Sequence, residues 1–510
     1  MKIARSKNAT RNIIFGILYK AIAILGPFCV RTVMIFVMGT EYVGLNSLFT
    51  SILSFLSLAE LGVGSALVYS MYKPIATDDT ETICALLNLY RKLYKYIGTI
   101  IAVIGISLIP FLKYLVKGDC PEDVNLYVLY LIYLFNTVIS YWMYAYKQSL
   151  LTAFQRSDII SKRSMIVQTM MYVVQILALI FTKNYYLYII FLPIFTILTN
   201  IVNAVIVGKM FPQYTCSGTV SKSFERSIKK KIFALFGTKA NSIVLHAADN
   251  IVISAFLGLA IVGKYGNYYY IMNSIIGIMT IIYDSFTAGL GNSLVTEKKE
   301  KILKDFSILS FMNFWLTAFA TTCLLCLYQP FMKIWVGEEN LFEMNIVILL
   351  CIYFYIYQIR RIILVYKDAA GIWWEDLLRP YIMMITNIIG NFILVQFLGV
   401  EGVIISTILS MLVSIPWENY TVFKYIFFCS SKRYYGKIIL YTLIAIPVCA
   451  VTWFICSKCP DGIGGLLIRA VICVILPNLV LLLFFYKTTD FENSKDFIIN
   501  NIFTKIKVKL

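Results

Sequence analysis

Long apolar runs separated by short polar stretches follow one another almost from end to end of the chain. A membrane-spanning helix needs about 20 predominantly apolar residues, and this length divides the sequence into fourteen predicted helices. The sequence therefore predicts an all-α integral membrane protein with about 14 transmembrane helices. The predicted helices are residues 12–38, 43–72, 94–116, 123–146, 162–182, 185–207, 233–257, 263–290, 306–332, 344–366, 376–398, 401–425, 438–457 and 464–486.

Composition supports this fold class. Of the 510 residues, 60% are hydrophobic and 14% are charged, and the mean hydropathy is +0.78. Soluble domains carry about 25% charged residues. The net charge of +18 invites a comparison with nucleic-acid-binding proteins, but the basic residues lie in the loops between apolar runs. The charge therefore reports on membrane topology, and no nucleic-acid partner is predicted.

The distribution of basic residues predicts the orientation. Roughly 35 of the 45 Lys and Arg residues fall on one side of the predicted helices, which the positive-inside rule assigns to the cytoplasm. Both termini are then cytoplasmic, and Arg360 and Arg361 are interpreted as part of this signal. Residues 222–231 are predicted to form an amphipathic helix at the membrane surface.

A glycine motif occurs twice in the chain. Gly39-Thr-Glu-Tyr-Val-Gly44 and Gly258-Leu-Ala-Ile-Val-Gly263 share the spacing G-x-x-x-V-G at an offset of 219 residues. Because six predicted helices separate the copies, they point the same way through the membrane, as in parallel repeats. The sequence therefore predicts two six-helix lobes and an added helix pair. The predicted domains are 1–207 (N-terminal lobe), 208–232 (cytoplasmic amphipathic linker), 233–425 (C-terminal lobe), 438–486 (helices 13 and 14) and 487–510 (cytoplasmic tail).

Ionisable residues lie inside the first two predicted helices. Such groups are costly at membrane depth, so they usually face a bundle interior and mark a substrate or ion path. Lys20 and Arg31 are eleven residues apart, which separates them by about 16 Å along an ideal helix and by about 20° around it. Helix 43–72 has a polar face that extends to Glu60. Together these faces indicate a hydrated cavity, with a polar lining that includes Asn46, Ser54, Ser57 and Asn250.

The seventh predicted helix, residues 233–257, carries a further polar face. Lys239, His246 and Asn250 fall on one side, and Asp249 lies about 80° away around the helix. We interpret Lys239 as a third cation of the cavity beside Lys20 and Arg31. Glu60 and Asp249 are interpreted as counter-charges or ion-coupling residues, and His246 as a protonation switch that could couple to an ion.

Each assignment has a plainer alternative. The long stem of Lys20 could carry its amine to the interface, and Glu60 could form a structural ion pair with Lys20. His246, the single histidine of the chain, could be a hydrogen-bonded core residue.

No catalytic, metal or cofactor motif is evident. The sequence has no G-x-x-x-x-G-K-[ST] phosphate loop, the predicted outer loops are short, and the sole histidine lies in mid-membrane, which disfavours an enzyme. Cys323-x-x-Cys326 lies in an apolar run and is interpreted as helix packing. Cys456-x-x-Cys459 ends another run at an outer loop, where a disulfide remains an open alternative.

Several segments resemble a known family, the bacterial oligosaccharide (O-antigen-type) flippases of polysaccharide synthesis. This family belongs to the superfamily of multidrug, oligosaccharidyl-lipid and polysaccharide exporters, and the resemblance runs from about residue 5 to 430. The segments are Arg-Thr-Val-Met-Ile-Phe at 31–36, Glu-Tyr-Val-Gly-Leu-Asn-Ser-Leu-Phe-Thr at 41–50, Leu-Ser-Leu-Ala-Glu-Leu-Gly-Val-Gly-Ser-Ala at 56–66, Asp-Asn-Ile-Val-Ile-Ser at 249–254, Val-Gly-Lys-Tyr-Gly-Asn-Tyr at 262–268 and Trp-Val-Gly-Glu-Glu at 335–339.

The resemblance implies a multi-pass protein of a bacterial plasma membrane that moves a polyprenyl-diphosphate-linked oligosaccharide from the inner to the outer leaflet. Cavity arginines hold the diphosphate in related flippases; Arg31 fits this pattern, and the second lobe offers Lys239 instead. A polysaccharide polymerase and glycosyltransferases are conceivable partners, and coupling to a proton or sodium gradient is a further hypothesis. The alternatives are a multidrug or cation extruder of the same superfamily, and then a membrane-embedded polymerase or acyltransferase.

Overall fold

The computed structural model describes residues 5–60, 62–118 and 120–499. Every regular element among them is helical, and the helices are long and apolar enough to cross a bilayer repeatedly. The chain is therefore an all-α, multi-pass membrane protein, which confirms the predicted fold class. The chain divides into two compact units with a boundary between Gly266 and Asn267, which we call the N-terminal and C-terminal units.

Among its described residues, the N-terminal unit contains nine α-helices and the start of a tenth. Its most extensive helix contact joins α1 to α7; α7 packs on α8, α8 on α5 and α5 on α4, while α2 packs on α9. The helices are α1 (Arg5–Met38), α2 (Thr40–Leu56), α3 (Val63–Ala76), α4 (Thr80–Leu108), α5 (Leu126–Trp142), α6 (Gln148–Ala153), α7 (Ser157–Thr182), α8 (Tyr185–Met210), α9 (Lys222–Leu257) and the beginning of α10 (Leu259–Thr296).

The C-terminal unit is built around one central helix. It comprises the remainder of α10 and α11 (Lys299–Val336), α12 (Met344–Ile359), α13 (Arg361–Ala370), α14 (Leu378–Val422), α15 (Lys432–Cys456), α16 (Ile463–Phe485) and α17 (Thr489–Ile498). The apolar stretch of α11 is 67% buried, against 22% for those of α15 and α16. Because α12, α15, α16 and α17 all pack on α11, the predicted extra helix pair is attached through this helix.

The predicted number of spans is only partly matched. In the described part of the chain, ten helices pass a length and hydropathy test for a membrane span, and α5 with α6 forms an eleventh that is bent by 49°. Helix α14 contains a non-helical residue, Gly399, with φ 58° and ψ −131°, at the limit between the predicted helices 376–398 and 401–425. The count of fourteen stays a prediction.

The second predicted helix is interrupted, so the prediction of one continuous helix over residues 43–72 is wrong. Helix α2 ends at Leu56, a 3-10 turn covers Ser57–Glu60, and Gly62 has φ 88° before α3 begins. A positive φ is accessible mainly to glycine, so the chain changes direction here. Because Ser57–Glu60 has 3-10 rather than α-helical geometry, Glu60 does not continue the polar face of α2.

The predicted linker is partly helical. Residues 222–231 form the first turns of α9, which runs without interruption from Lys222 to Leu257. The Ser221 hydroxyl caps this helix by accepting a hydrogen bond from the Phe224 amide at 3.3 Å, the usual role of a serine at this position. The basic segment and the predicted seventh span therefore form one element.

Candidate functional site

The two copies of the glycine motif begin helices in the same way. Gly39 (φ 105°) precedes α2 and Gly258 (φ 95°) precedes α10, and both need the conformational freedom of glycine. A methyl group at Gly44 would collide with the Leu259 carbonyl, and one at Gly263 with the Thr40 carbonyl. Under the 219-residue offset these two contacts are counterparts, so the beginnings of α2 and α10 pack backbone against backbone.

Arg31 lies beside this glycine contact. A methyl group at Gly266 would lie 2.5 Å from Arg31 Nη2 and 3.2 Å from Ser47 Oγ, so the guanidinium occupies space that a side chain at residue 266 would need. Tyr188 of α8 is within range of an electrostatic interaction with Arg31. Arg31 is seven residues from the end of α1, about 10 Å along the axis. The structure therefore places a partly buried guanidinium where α1, α2 and α10 meet.

Two predicted residues of α9 contact neighbouring helices. Asp249 is 1% exposed, and its Oδ2 accepts a hydrogen bond from the Tyr265 hydroxyl at 3.1 Å. Asn250 Nδ2 donates to Ser51 Oγ of α2 at 2.9 Å. The polar faces predicted for the second and seventh spans therefore meet within the N-terminal unit.

Asn46 joins a group of tyrosines. The Tyr133 hydroxyl donates to Asn46 Oδ1 at 2.5 Å and lies 3.3 Å from the Tyr185 hydroxyl, which in turn donates to the Tyr42 carbonyl at 3.3 Å. No tyrosine was singled out from the sequence, so this group was missed. Ser54, by contrast, donates to the Thr50 carbonyl of its own helix at 2.7 Å.

Glu60 is held by tyrosines of other helices. The Tyr94 hydroxyl donates to Glu60 Oε1 at 2.7 Å, and the Tyr141 hydroxyl donates to Oε2 at 3.2 Å. Ser57 lies near the Tyr141 hydroxyl. Among the described residues no cation lies within ion-pair distance of Glu60, so the alternative of a Lys20–Glu60 ion pair is not realised.

The remaining predicted residues are less closely connected. Lys20 is partly exposed on α1, and Pro27 lies between it and Arg31, where it removes one backbone donor. The predicted separation of about 20° between Lys20 and Arg31 around the helix axis assumes an ideal helix, so it does not apply directly to α1. His246 is partly buried on α9. The side chain of Lys239 lies outside the described residues, so its proximity to Arg31 stays a prediction.

A buried charge network in the C-terminal unit was missed. Glu418 accepts hydrogen bonds from Arg360 Nε at 3.1 Å and from Arg379 Nη1 at 2.7 Å. Asp376 accepts from Arg379 Nε at 2.8 Å and from Lys367 Nζ at 2.6 Å. All five residues are at most 7% exposed, and three cations face two anions. Arg360 is therefore more than a topology signal. The sequence feature that could have indicated the network is Glu418, an acidic residue inside the predicted helix 401–425.

Asp376 gives this network a defined pH dependence. Asp376 lies between the apolar spans Met344–Ala370 and Leu378–Phe427. Burial by itself would raise the pKa of its carboxyl, but hydrogen bonds and charge from Arg379 and Lys367 outweigh burial and lower that pKa below its usual value. A carboxyl with a lowered pKa in the folded state stabilises the fold above its unfolded pKa of about 3.9 and loses this contribution as the pH falls further.

We therefore expect the melting temperature of the purified protein to fall below about pH 4. In the Asp376→Asn variant the melting temperature should be lower at neutral pH and less dependent on pH in that range. An acid-induced decrease that is equally large in the variant would assign it to other carboxyl groups.

Comparisons with known proteins agree on the fold. No protein-family profile and no curated protein matches the chain. A structure of the lipid II flippase MurJ in an inward closed conformation aligns with a TM-score of 0.66 and 16% identity, covering 93% of this chain and 99% of MurJ.

Multidrug transporters align over less of the chain. An inward-facing multidrug resistance MATE transporter of the MOP superfamily gives a TM-score of 0.60 and 14% identity, covering 78% of this chain and 94% of that transporter. A mutant of the Vibrio cholerae MATE transporter VcmN gives 0.55 and 15% identity, covering 83% of this chain and 99% of VcmN. At such low identities the similarity concerns architecture, and the chain has a MurJ/MATE-like membrane transporter fold.

Proposed function

We propose that the protein is a flippase that moves a polyprenyl-diphosphate-linked oligosaccharide from the inner to the outer leaflet of a bacterial plasma membrane, for cell-surface polysaccharide synthesis. The observation that carries this proposal is the guanidinium of Arg31, which lies at membrane depth beside Ser47 and Gly266. The structural similarity to a lipid II flippase over 93% of the chain supports the same class of substrate. Both termini are proposed to be cytoplasmic.

The physical problem in such a reaction is to carry a diphosphate and several sugars through hydrocarbon. Unpaired charges are very costly there, whereas a guanidinium can hold phosphate oxygens with two parallel hydrogen bonds. We propose Arg31 as the main diphosphate ligand, assisted by Lys20 and Lys239, while the polyprenyl tail stays in lipid.

The acidic and polar residues have supporting roles in this proposal. Glu60 and Asp249 act as counter-charges that limit electrostatic trapping of the diphosphate, and His246 or Asp249 would couple transport to an ion gradient. Hydroxyl and amide groups such as those of Asn46, Ser57 and Asn250 would hydrate the sugars. No catalytic chemistry is required of any of these residues.

The proposal predicts a large loss of flipping in an Arg31→Gln variant. Loss of one hydrogen bond to a charged group corresponds to about 1.5–3 kcal/mol, or roughly a 10- to 100-fold lower rate. Arg31→Lys should lie between that variant and the wild type, because it keeps the charge and loses the two-pronged geometry. The measurement is flipping of a fluorescent polyprenyl-diphosphate oligosaccharide in proteoliposomes, with Arg226→Gln, an exposed arginine on α9, as the matched control.

A second variant tests the position of the guanidinium. In Gly266→Ala the new methyl group would meet the flexible end of Arg31 rather than backbone, so the fold should persist while the guanidinium moves. We expect slower flipping at an unchanged melting temperature. Full activity of both Gly266→Ala and Arg31→Gln in stable protein would refute the diphosphate role of Arg31.

A multidrug or cation extruder is the second candidate. The MATE transporters share the fold, and the carboxylate of Glu60 between Tyr94 and Tyr141 would suit an aromatic cation. An extruder would lower ethidium accumulation in cells, and Glu60→Gln would abolish that effect. Ethidium transport without flipping of the lipid-linked sugar would decide for this candidate.

A further inference from the structure

Three buried thiols converge in the C-terminal unit and take no part in its charge network. Cys326 of α11, Cys456 of α15 and Cys473 of α16 have Sγ atoms that all lie within 4.8 Å of one another, and the Cys456 and Cys473 sulfurs are 3.9 Å apart. The three side chains are at most 4% exposed. Because each comes from a different helix, only the tertiary fold brings them together.

A fourth thiol belongs to the same group. Cys323 precedes Cys326 by three residues on α11, and its side chain is within hydrogen-bonding reach of Cys473. Residues three apart on a helix share one face, so α11 presents two sulfurs to Cys456 and Cys473. Cys323 packs against the cluster of three thiols, as do the apolar side chains of Leu327 and Ile472.

The spacing of these sulfurs suits a metal ion better than a disulfide. With metal–sulfur bonds of about 2.3 Å, tetrahedral ligands lie about 3.8 Å apart and trigonal ligands about 4.0 Å apart. The separation of 3.9 Å between Cys456 and Cys473 falls in this range. A disulfide would require the two sulfurs to approach to about 2.05 Å, and Cys456 and Cys473 are not joined by one.

A buried arginine of α16 lies next to the cluster and binds the end of α15. Arg469 precedes Cys473 by one turn of α16; its Nε donates to the Cys456 carbonyl at 3.0 Å and its Nη2 to the Cys459 carbonyl at 2.8 Å. Arg469 also lies 3.5 Å from Asp461. The guanidinium therefore holds the end of α15 against α16.

We propose that Cys326, Cys456 and Cys473, with Cys323 as a fourth ligand, form a binding site for a soft d10 metal cation of the Zn(II), Cd(II) or Cu(I) class. Thiolates are the ligands that select such ions. Each coordinating thiol would release its proton to solvent on binding. The bound ion would fasten the C-terminal helix pair to α11, independently of the proposed transport function.

The experiment is a titration of the reduced, full-length protein in detergent with Cd(II) under anaerobic conditions. We expect a thiolate-to-cadmium charge-transfer band that saturates at one equivalent and a rise in melting temperature. Cys473→Ser and Cys456→Ser should lose both signals. Cys84→Ser, which replaces a buried cysteine of α4, should keep them.

Alkylation of the wild-type protein tests the same proposal without cysteine variants, so its result does not depend on whether those variants fold. Bound Cd(II) should protect the four cluster cysteines from a thiol reagent in the partly denatured protein, as mapped by mass spectrometry, whereas the exposed Cys29 and Cys429 should react. Absence of a saturable band, equal alkylation with and without Cd(II), or a Cys456–Cys473 disulfide in protein isolated without reductant would each overturn the proposal.

Discussion

Replacing Glu418 with alanine is expected to destabilise the C-terminal unit by about 3–5 kcal/mol, the usual effect of removing one partner from a buried ion pair. The Glu418 carboxylate accepts hydrogen bonds from Arg360 and Arg379 and also from Ser414 Oγ at 3.0 Å. Without it, Arg360 has no carboxylate partner among the described residues, and Arg379 retains only Asp376. The variant leaves excess positive charge in a space that excludes water.

The measurement is thermal unfolding of purified protein in detergent. Lys333→Ala is the control, because it removes an ion pair with Glu338 and Asp461 that is largely exposed and should leave the melting temperature almost unchanged. An unchanged melting temperature in Glu418→Ala would show that water or another group solvates the two guanidinium ions.

The same network predicts a compensating variant. Replacing Arg360, Arg379 and Glu418 together with methionine removes two cations and one anion, and leaves Lys367 paired with Asp376 at 2.6 Å. Apolar residues of similar size often substitute for buried ion groups with little loss of stability. The triple variant should therefore unfold at a higher temperature than Glu418→Ala. If Glu418→Ala were destabilised only by the loss of side-chain volume at residue 418, removal of the two arginines would not restore stability.

The positions of many helices could be predicted from the sequence, because a membrane-spanning helix corresponds to one continuous apolar run. Helix α8 at Tyr185–Met210 and helix α16 at Ile463–Phe485 begin within one residue of their predicted starts, since the length of an apolar run in a bilayer leaves few alternatives. The break between α2 and α3 was missed because the 3-10 turn at Ser57–Glu60 continues the polar pattern of α2 in the sequence. Only the positive φ of Gly62 distinguishes it.

The site was predictable only in part, for a different reason. Arg31 and the glycine repeat stand out locally, as an ionisable residue in an apolar run and as a motif that occurs twice. The partners of Glu60, Tyr94 and Tyr141, lie 34 and 81 residues away in sequence, and those of Glu418 lie 39 and 58 residues away. No local pattern relates such distant residues, so the ion network and the tyrosine contacts required the tertiary structure.

Valine at Gly44 should be among the most disruptive single substitutions in the N-terminal unit. A β-carbon there would collide with the Leu259 carbonyl, and one at Gly263 would collide with the Thr40 carbonyl. A backbone carbonyl cannot rotate away as a side chain can, so the helix starts must separate. Overpacking usually lowers stability by about 1–3 kcal/mol, and this rigid contact should reach the upper end of that range.

Because the two contacts are counterparts under the 219-residue repeat, Gly44→Val and Gly263→Val should lower the melting temperature by similar amounts. Gly16→Ala is the matched control, since nothing lies within 4 Å of a β-carbon at that helical position, and it should stabilise α1 slightly. Separation of α2 from α10 would also move Ser47 away from Gly266, which lies beside the Arg31 guanidinium, so a variant that still folds should flip lipid slowly. A folded Gly44→Val protein with wild-type stability and flipping would mean that the backbone contact of the two repeats neither supports the fold nor positions the guanidinium.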